Sequence, residues 1–392
     1  HNDLQTQLDA LEARVTALED VEPPVTLPPI EIPIQDPDCI RVGQSIQAAI
    51  DTANAGDTIC VQGVHNEKIT VRKSIILIGK GAILSGPGNG DAFLGNNVSN
   101  VEIKNFEITN YKYGFRLLND ANNWTITGCD IHHNKADGVF LRGPDDTVVA
   151  NNRIHHNRVG VNVFWRDTTN NKSNRTIVHH NVVYSNGIGD PEAGDGIAVS
   201  GGDDCVVHHN ICYFNWDDGI DVSGQTSRFP LRANVHDNIL FYNGFTDYDT
   251  VGPVDGDGNG IKTSTNVGGD HTVQNNISFR NKRAGYDHDD ASDQFPPDTY
   301  ADNISWRNKF IFSDRPTTVV RNIGWEIKAV NGGMDMSTSG DNVWQSVTNA
   351  IAPSDTVESI MDYFVSPDKP IVLGSWQSMW DQTMRNFTRA GD

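Results

Sequence analysis

Asp217, Asp218 and Asp221 put three carboxylates within five residues, and Asp195 and Lys262 fill related slots of the flanking sequence repeats. Carboxylates gathered this closely repel and raise one another's pKa unless a cation sits among them. Hard, multidentate oxygen ligands of this kind suit Ca2+, whereas zinc would want histidine or cysteine. A lysine beside a bound divalent cation is disfavoured as an ammonium, so its pKa should fall. A neutral amine then becomes accessible, as a general base requires. Asp217 and Asp218 also suit a turn, where aspartate is common. Asp221 does not, because it reads as mid-strand, a position that disfavours aspartate.

The elements that bring these residues together are copies of one unit. Its first half is a glycine followed by an apolar-x-apolar run, beginning at Gly138, Gly160, Gly196, Gly219 and Gly260. Its second half spans two asparagines five positions apart: Asn152 and Asn157, Asn181 and Asn186, Asn210 and Asn215, Asn238 and Asn243, Asn276 and Asn281, Asn303 and Asn308. An earlier copy runs from Cys129 to Asn134, with cysteine in the first slot. Units of roughly 22 to 25 residues, lengthened in places by insertions, predict a solenoid, and short alternating strands make it a β-solenoid. Side chains on a strand alternate between faces. The outward slot therefore reads Arg116, Phe140, Asn162, Ala198, Asp221, Lys262, Asp287, coil after coil. The slot before the glycine reads Tyr113, Asp137, Val159, Asp195, Asp218, Asn259, Ala284. With coils stacked about 4.8 Å apart, Lys262 falls one coil from Asp221 and two from Asp195, on one face.

Around this core, Leu4, Leu8, Leu11, Val15 and Leu18 form a short a/d seam within residues 1–20, a candidate homo-oligomer contact across 4–18. Residues 21–38 are proline-rich and predict a semi-rigid linker. Residues 45–54 are amphipathic and predict a helix covering the open end of the solenoid, whose catalytic domain is expected over 39–345. Residues 356–364 and 376–387 read as helices in a flank over 346–392.

The formal net charge of −21 argues against a nucleic-acid partner, which needs clustered Lys and Arg. An acidic chain can still bind a polyanion if a cation mediates. No apolar run is long enough to span a bilayer. No signal peptide is visible, and with His1 first a leader removed beforehand is expected. Cys39 and Cys60 flank the first helix and are candidates for a disulfide, in keeping with export; Cys129, Cys205 and Cys212 read as small buried thiols as readily as a bridge. Four His-His pairs (His132-His133, His155-His156, His179-His180, His208-His209) fall in different columns of the repeat and read as structural. The column His132, His155, Tyr184, Tyr213, Phe241, Phe279, Trp306 predicts a stacked ladder.

The segments Trp216-Asp217-Asp218-Gly219-Ile220-Asp221, Gly258-Asn259-Gly260-Ile261-Lys262 and Gly285-Tyr286-Asp287 resemble the pectate lyases of polysaccharide lyase family 9, over about residues 39–330. The resemblance implies a right-handed parallel β-helix that cuts an acidic polysaccharide by β-elimination, outside the cell or in a bacterial periplasm. By match to the family pattern, Asp195, Asp217, Asp218 and Asp221 would bind Ca2+ and Lys262 would take the proton. The chain departs from the pattern at His288, where the family usually carries glutamine. Lys282 and Arg283, one coil on, are candidates for holding substrate carboxylates, with Tyr286 and Asp287 beside them. Rival readings remain a β-helical glycoside hydrolase, which needs a carboxylate pair, a uronate C5-epimerase, and a polysaccharide-binding adhesin or tailspike.

Overall fold

A computed structural model describes residues 45–165, 173–189, 194–223, 231–246, 256–264, 270–289 and 298–306, with short segments as far as 345. The heptad seam, the proline-rich stretch, Cys39 and the carboxy-terminal helices expected from the sequence lie outside the described residues. Those described belong to one compact unit, Gln35–Thr348.

The unit is a parallel β-helix. Among the described residues every strand pairing is parallel, and the strands fall into a ten-stranded sheet and a twenty-stranded sheet. In a regular coil the chain runs through one strand of the first sheet and two of the second, as in Ile197–Val199, Cys205–His208 and Ile211–Tyr213. The core is a narrow column of Val, Ile, Leu and Phe from the inward slots, almost all fully buried. The glycine opening each unit is required by close approach. A Cβ on Gly219 would lie 2.7 Å from the Gly260 carbonyl oxygen and from Asn243 Nδ2.

The paired asparagines form two continuous ladders. Asn210 is typical: its Nδ2 donates to the Val178 carbonyl at 2.9 Å and to Asn238 Oδ1 at 3.0 Å, while its Oδ1 accepts from Asn181 N and Nδ2, both at 3.0 Å. Asn322 adds a rung that the repeat alignment missed, accepting from Asn303 N at 2.9 Å. Among the described residues, the one before a ladder asparagine turns through the left-handed region, as at His156 (φ 55°), His209 (φ 55°) and Tyr242 (φ 54°). From His132 to Phe279 the aromatic column stacks as expected, with centroids 4.9 Å apart for His132 and His155, 4.6 Å for His155 and Tyr184, and 5.1 Å for Phe241 and Phe279.

The capping helix, α1, spans Ile46–Thr52, three residues shorter than the amphipathic stretch. Glu67, from the first coil, accepts from Ile46 N at 2.9 Å and Gln47 N at 3.2 Å, and Ser45 caps the helix through Ala48 N. Those bonds fix where the helix begins, and Ile46, Ala49 and Ile50 close the core column. Among the described residues no helix is long and apolar enough to cross a membrane.

Removing one rung leaves buried partners unmet on both neighbouring coils. Asn210→Ala is therefore expected to cost about 3 kcal/mol or more, since each orphaned buried group costs roughly 1–3 kcal/mol. Denaturant unfolding of the two proteins measures the difference; a loss under about 1 kcal/mol would show the ladder to be dispensable.

Candidate active site

The backbone register delivers the predicted row. Ala198 pairs with Asp221, Asp221 with Lys262, and Lys262 with Asp287, on successive strands of the ten-stranded sheet. Asp195 and Asp218 sit just before the glycines of their coils, and Asp218 N donates to Asp195 Oδ1 at 3.2 Å. One carboxylate oxygen from each of Asp195, Asp218 and Asp221 lies within 4.8 Å of the others. Asp217 adjoins the group, but its Oδ1 already accepts from Asp257 N at 2.6 Å. Lys262 Nζ stands 4.0 Å from Asp218 Oδ2 and 2.9 Å from Asp257 Oδ2.

These carboxylates are buried against their own charge. Asp218 is fully buried, and Asp195 and Asp217 are nearly so. Desolvation, then repulsion from Asp221 and Asp217, holds the Asp195 carboxyl well above the usual range. Desolvation and Asp217 do the same to Asp218. Asp217 itself is raised to about 6, chiefly by burial. At Lys262, burial favours the neutral amine, but Asp218, Asp221 and Asp257 outweigh it and lift its pKa above an ordinary lysine's. The lowered lysine pKa expected from the sequence therefore is not produced by the protein's own groups. The arrangement suits a hard divalent cation: it offers oxygen donors only, and Asp218 Oδ2 is buried with no hydrogen-bond partner.

The other predicted residues separate into two groups. Arg283 joins the site, with Nη1 3.1 Å from Asp257 Oδ1 and 3.2 Å from Asp287 Oδ2. Asp287 is buried and also accepts from Asn259 Nδ2 at 3.2 Å, so it orients Arg283 and Asn259. Lys282 is half-buried and donates to the Gly256 carbonyl. Tyr286 points into the core: it is fully buried, and its hydroxyl lies 2.8 Å and 2.9 Å from the carbonyls of Asn276 and Ile304. His288 is also inward-facing, with Nδ1 3.0 Å from Thr263 Oγ1 and 3.1 Å from Asp298 Oδ2. The departure from the family pattern thus lies beneath the sheet.

Sequence reading missed Asp257, which contacts Lys262, Arg283 and the Asp217 side chain. It lies in a turn ahead of the Ile261–Ser264 strand, outside the repeat; the glycines on either side, Gly256 and Gly258, were its only signal. Asn259 was aligned without a role. It donates from its backbone to Asp218 Oδ1 at 2.7 Å, and its Oδ1 accepts from Ala284 N at 3.1 Å. It therefore ties the acidic coil to the coil beyond Lys262.

Residues 36–322 match the family described as "Pel9A-like, right handed beta helix region". The chain belongs to that family. It is 27% identical over 348 residues to a protein named pectate lyase PEL9 from Emericella nidulans, covering 76% of this chain and 77% of that one. It is 26% identical over 256 residues to pectate lyase L of Paenibacillus polymyxa, covering 60% of this chain and 55% of that protein, so it spans about half the length of that relative. Among solved structures, an alginate lyase from a Paenibacillus species shares the fold, with a TM-score of 0.55, 18% identity, and coverage of 68% of this chain and 94% of that one. The Pel9A-like assignment fixes the solenoid as right-handed, and the relatives named here are polysaccharide lyases.

The raised carboxyl pKa values make a signed prediction. Asp195, Asp217 and Asp218 hold protons in the fold that the unfolded chain releases above its ordinary 3.8. Without a cation, stability is therefore lost as pH rises through the folded values. Asp218→Asn keeps the acceptor for Asn259 and removes one charge. In chelator at about pH 8 it should melt a few degrees above the parent, and at about pH 4 the two should coincide. A lower melting point at the higher pH would mean that repulsion does not limit the fold.

Proposed function

We propose that the chain is a calcium-dependent polysaccharide lyase acting on a uronic-acid polymer of the pectate type, with Lys262 as the base. The observation that carries this reading is Lys262 stacked one coil from Asp221, its ammonium 4.0 Å from the buried Asp218 carboxylate. A hydrolase built on the carboxylates alone would leave that lysine without a task.

Asp195, Asp218 and Asp221 would hold the ion, with Asp217 at its margin. Bound calcium would place positive charge beside the sugar carboxylate and so acidify the neighbouring C5 proton. Arg283, steadied by Asp257 and Asp287, can pair with a uronate carboxylate and orient the ring. Lys262 accepts the C5 proton, the C–H electron pair becomes the C4–C5 double bond, and the glycosidic oxygen leaves C4 and takes a proton from solvent. Lys262 must be neutral to act. Two of the carboxylates that now favour its ammonium form, Asp218 and Asp221, are groups a divalent cation would neutralise, which shifts the amine in the required direction.

Polygalacturonate, alginate, glucuronan and glycosaminoglycans, each followed by ultraviolet absorbance of the unsaturated uronate, test the reading. A calcium-dependent rise is expected, removed by chelator and reduced about 10²-fold or more in Lys262→Ala. Reducing ends without new absorbance would instead indicate a hydrolase. An inert polymer whose C5 configuration changes would indicate an epimerase. Calcium should also raise the melting point little at about pH 4 and increasingly as the carboxyls ionise, Asp217 at about 6. A calcium effect equal at both pH values would exclude these aspartates as its site.

A further inference from the structure

The four His-His pairs stack as two squares, His132-His133 on His155-His156 and His179-His180 on His208-His209; of these, the first also has a carboxylate on a far ring nitrogen. His132 and His133, from the strand Asp130–His132 and its turn, lie directly beneath His155 and His156, from the strand Arg153–His155 and its turn. Across the coils the rings stack with centroids 4.9 Å apart for His132 and His155 and 4.8 Å for His133 and His156. Within each coil the two Nδ1 atoms face one another, 2.8 Å apart for His132 and His133 and 2.7 Å for His155 and His156.

Stacking alone does not explain that facing. The column continues through Tyr184, whose neighbour Ser185 also takes the left-handed turn without a ring. Two lone pairs at 2.7 Å would repel, so one Nδ1–H donates to the other Nδ1 in a hydrogen bond, whose proton a metal ion can replace. The surroundings favour a metal-ready form. His155 Nε2 lies 3.1 Å from Asp130 Oδ1, and Arg153 Nε holds the same carboxylate oxygen at 3.0 Å. A carboxylate on the far nitrogen is the usual partner of a metal-ligating histidine, because it fixes the tautomer and leaves the near nitrogen with its lone pair. His156 can then free its own Nδ1 by moving its proton to Nε2, with no net proton lost.

We propose that His133, His155 and His156 form a second metal site, for a borderline divalent ion such as Zn2+, Ni2+ or Cu2+. One ring nitrogen from each lies within 4.8 Å of the others. Tetrahedral zinc with imidazole nitrogens at 2.0–2.1 Å sets ligands about 3.3 Å apart, so the third ring must swing in by up to roughly 1.5 Å. His133 is exposed and can do so by giving up its contact with His132, while the buried His155 anchors the set. His132 or water completes the shell. Neutral imidazoles without thiolate select these ions over calcium, as the all-oxygen cluster does the reverse. The site bridges two coils of the twenty-stranded sheet, whereas the aspartates stand on the ten-stranded sheet, so it would act as a cross-coil staple independent of the acidic cluster.

The test is a zinc titration of the untagged full chain against a chromophoric chelator, with calcium in excess. One equivalent should bind with micromolar or tighter affinity. Three substitutions spare the fold: His155→Phe continues the aromatic stack, and His133→Asn and His156→Asn suit left-handed turns. Each should weaken binding tenfold or more, Asp130→Asn should weaken it about 10-fold or more through His155, and Asp218→Ala should leave it unchanged. Should a variant unfold, imidazole nitrogen resonances of the parent decide: zinc must shift Nδ1 of His155 and His156. Affinity weaker than millimolar, histidine variants that bind as tightly as the parent, or unshifted imidazoles would each overturn the proposal.

Discussion

The fold depends on one repeated event: a tight corner whose buried polar backbone is completed by the identical corner of the next coil. Among the described residues, the one before a ladder asparagine takes a left-handed conformation, and several of these (Phe214, Tyr242, Arg280) are types for which it costs about 1–2 kcal/mol. Within a single coil one bond bears on the corner, from the asparagine Nδ2 to the carbonyl two residues earlier, as from Asn210 to His208 at 3.0 Å. The asparagine side chain supplies the rest by donating to a carbonyl of the preceding coil and to the asparagine of the next, while its oxygen receives two bonds from the asparagine before it. Each coil therefore needs both neighbours, which is why solenoid stability resides in interfaces.

That constraint also explains why insertions do not disturb the register. Successive rungs are separated by 29 residues from Asn181 to Asn210, 38 from Asn238 to Asn276 and 19 from Asn303 to Asn322, yet the bonds hardly change in length. The longer coil carries its extra residues ahead of the Lys262 strand, the turn from which Asp257 reaches the lysine. The ladder fixes where strands pair, and the loops between corners are left to supply chemistry.

The acidic cluster uses the same register against the fold's own interest. Parallel in-register stacking keeps equivalent slots one coil apart, so Asp195, Asp218 and Asp221 cannot separate by moving along the strand. Lys262 and Arg283 supply too little positive charge to balance them, and the carboxyls stay raised. Such concentrated repulsion, in a position that packing alone would fill with an apolar or neutral residue, is the observation on which the proposed cation site rests.

Much of this was legible in the sequence because a stacked repeat is nearly one-dimensional. Once the glycines and asparagines were aligned, the outward row from Arg116 to Asp287 followed from strand alternation, and the pairings agree with it at every step. The inward direction of Tyr286 and His288 was available from the same alternation, yet the resemblance drew Tyr286 toward the substrate. Tertiary structure decided what lies off the repeat. Asp257 belongs to an irregular turn, so no period predicts where its carboxylate lands. The meeting of His132 and His133 with His155 and His156 depends on corner geometry that sets two nitrogens of adjacent residues face to face. Periodicity encodes which coil and which face a residue occupies; side-chain direction at a corner, and the charge balance of a buried cluster, arise only when the coils are stacked.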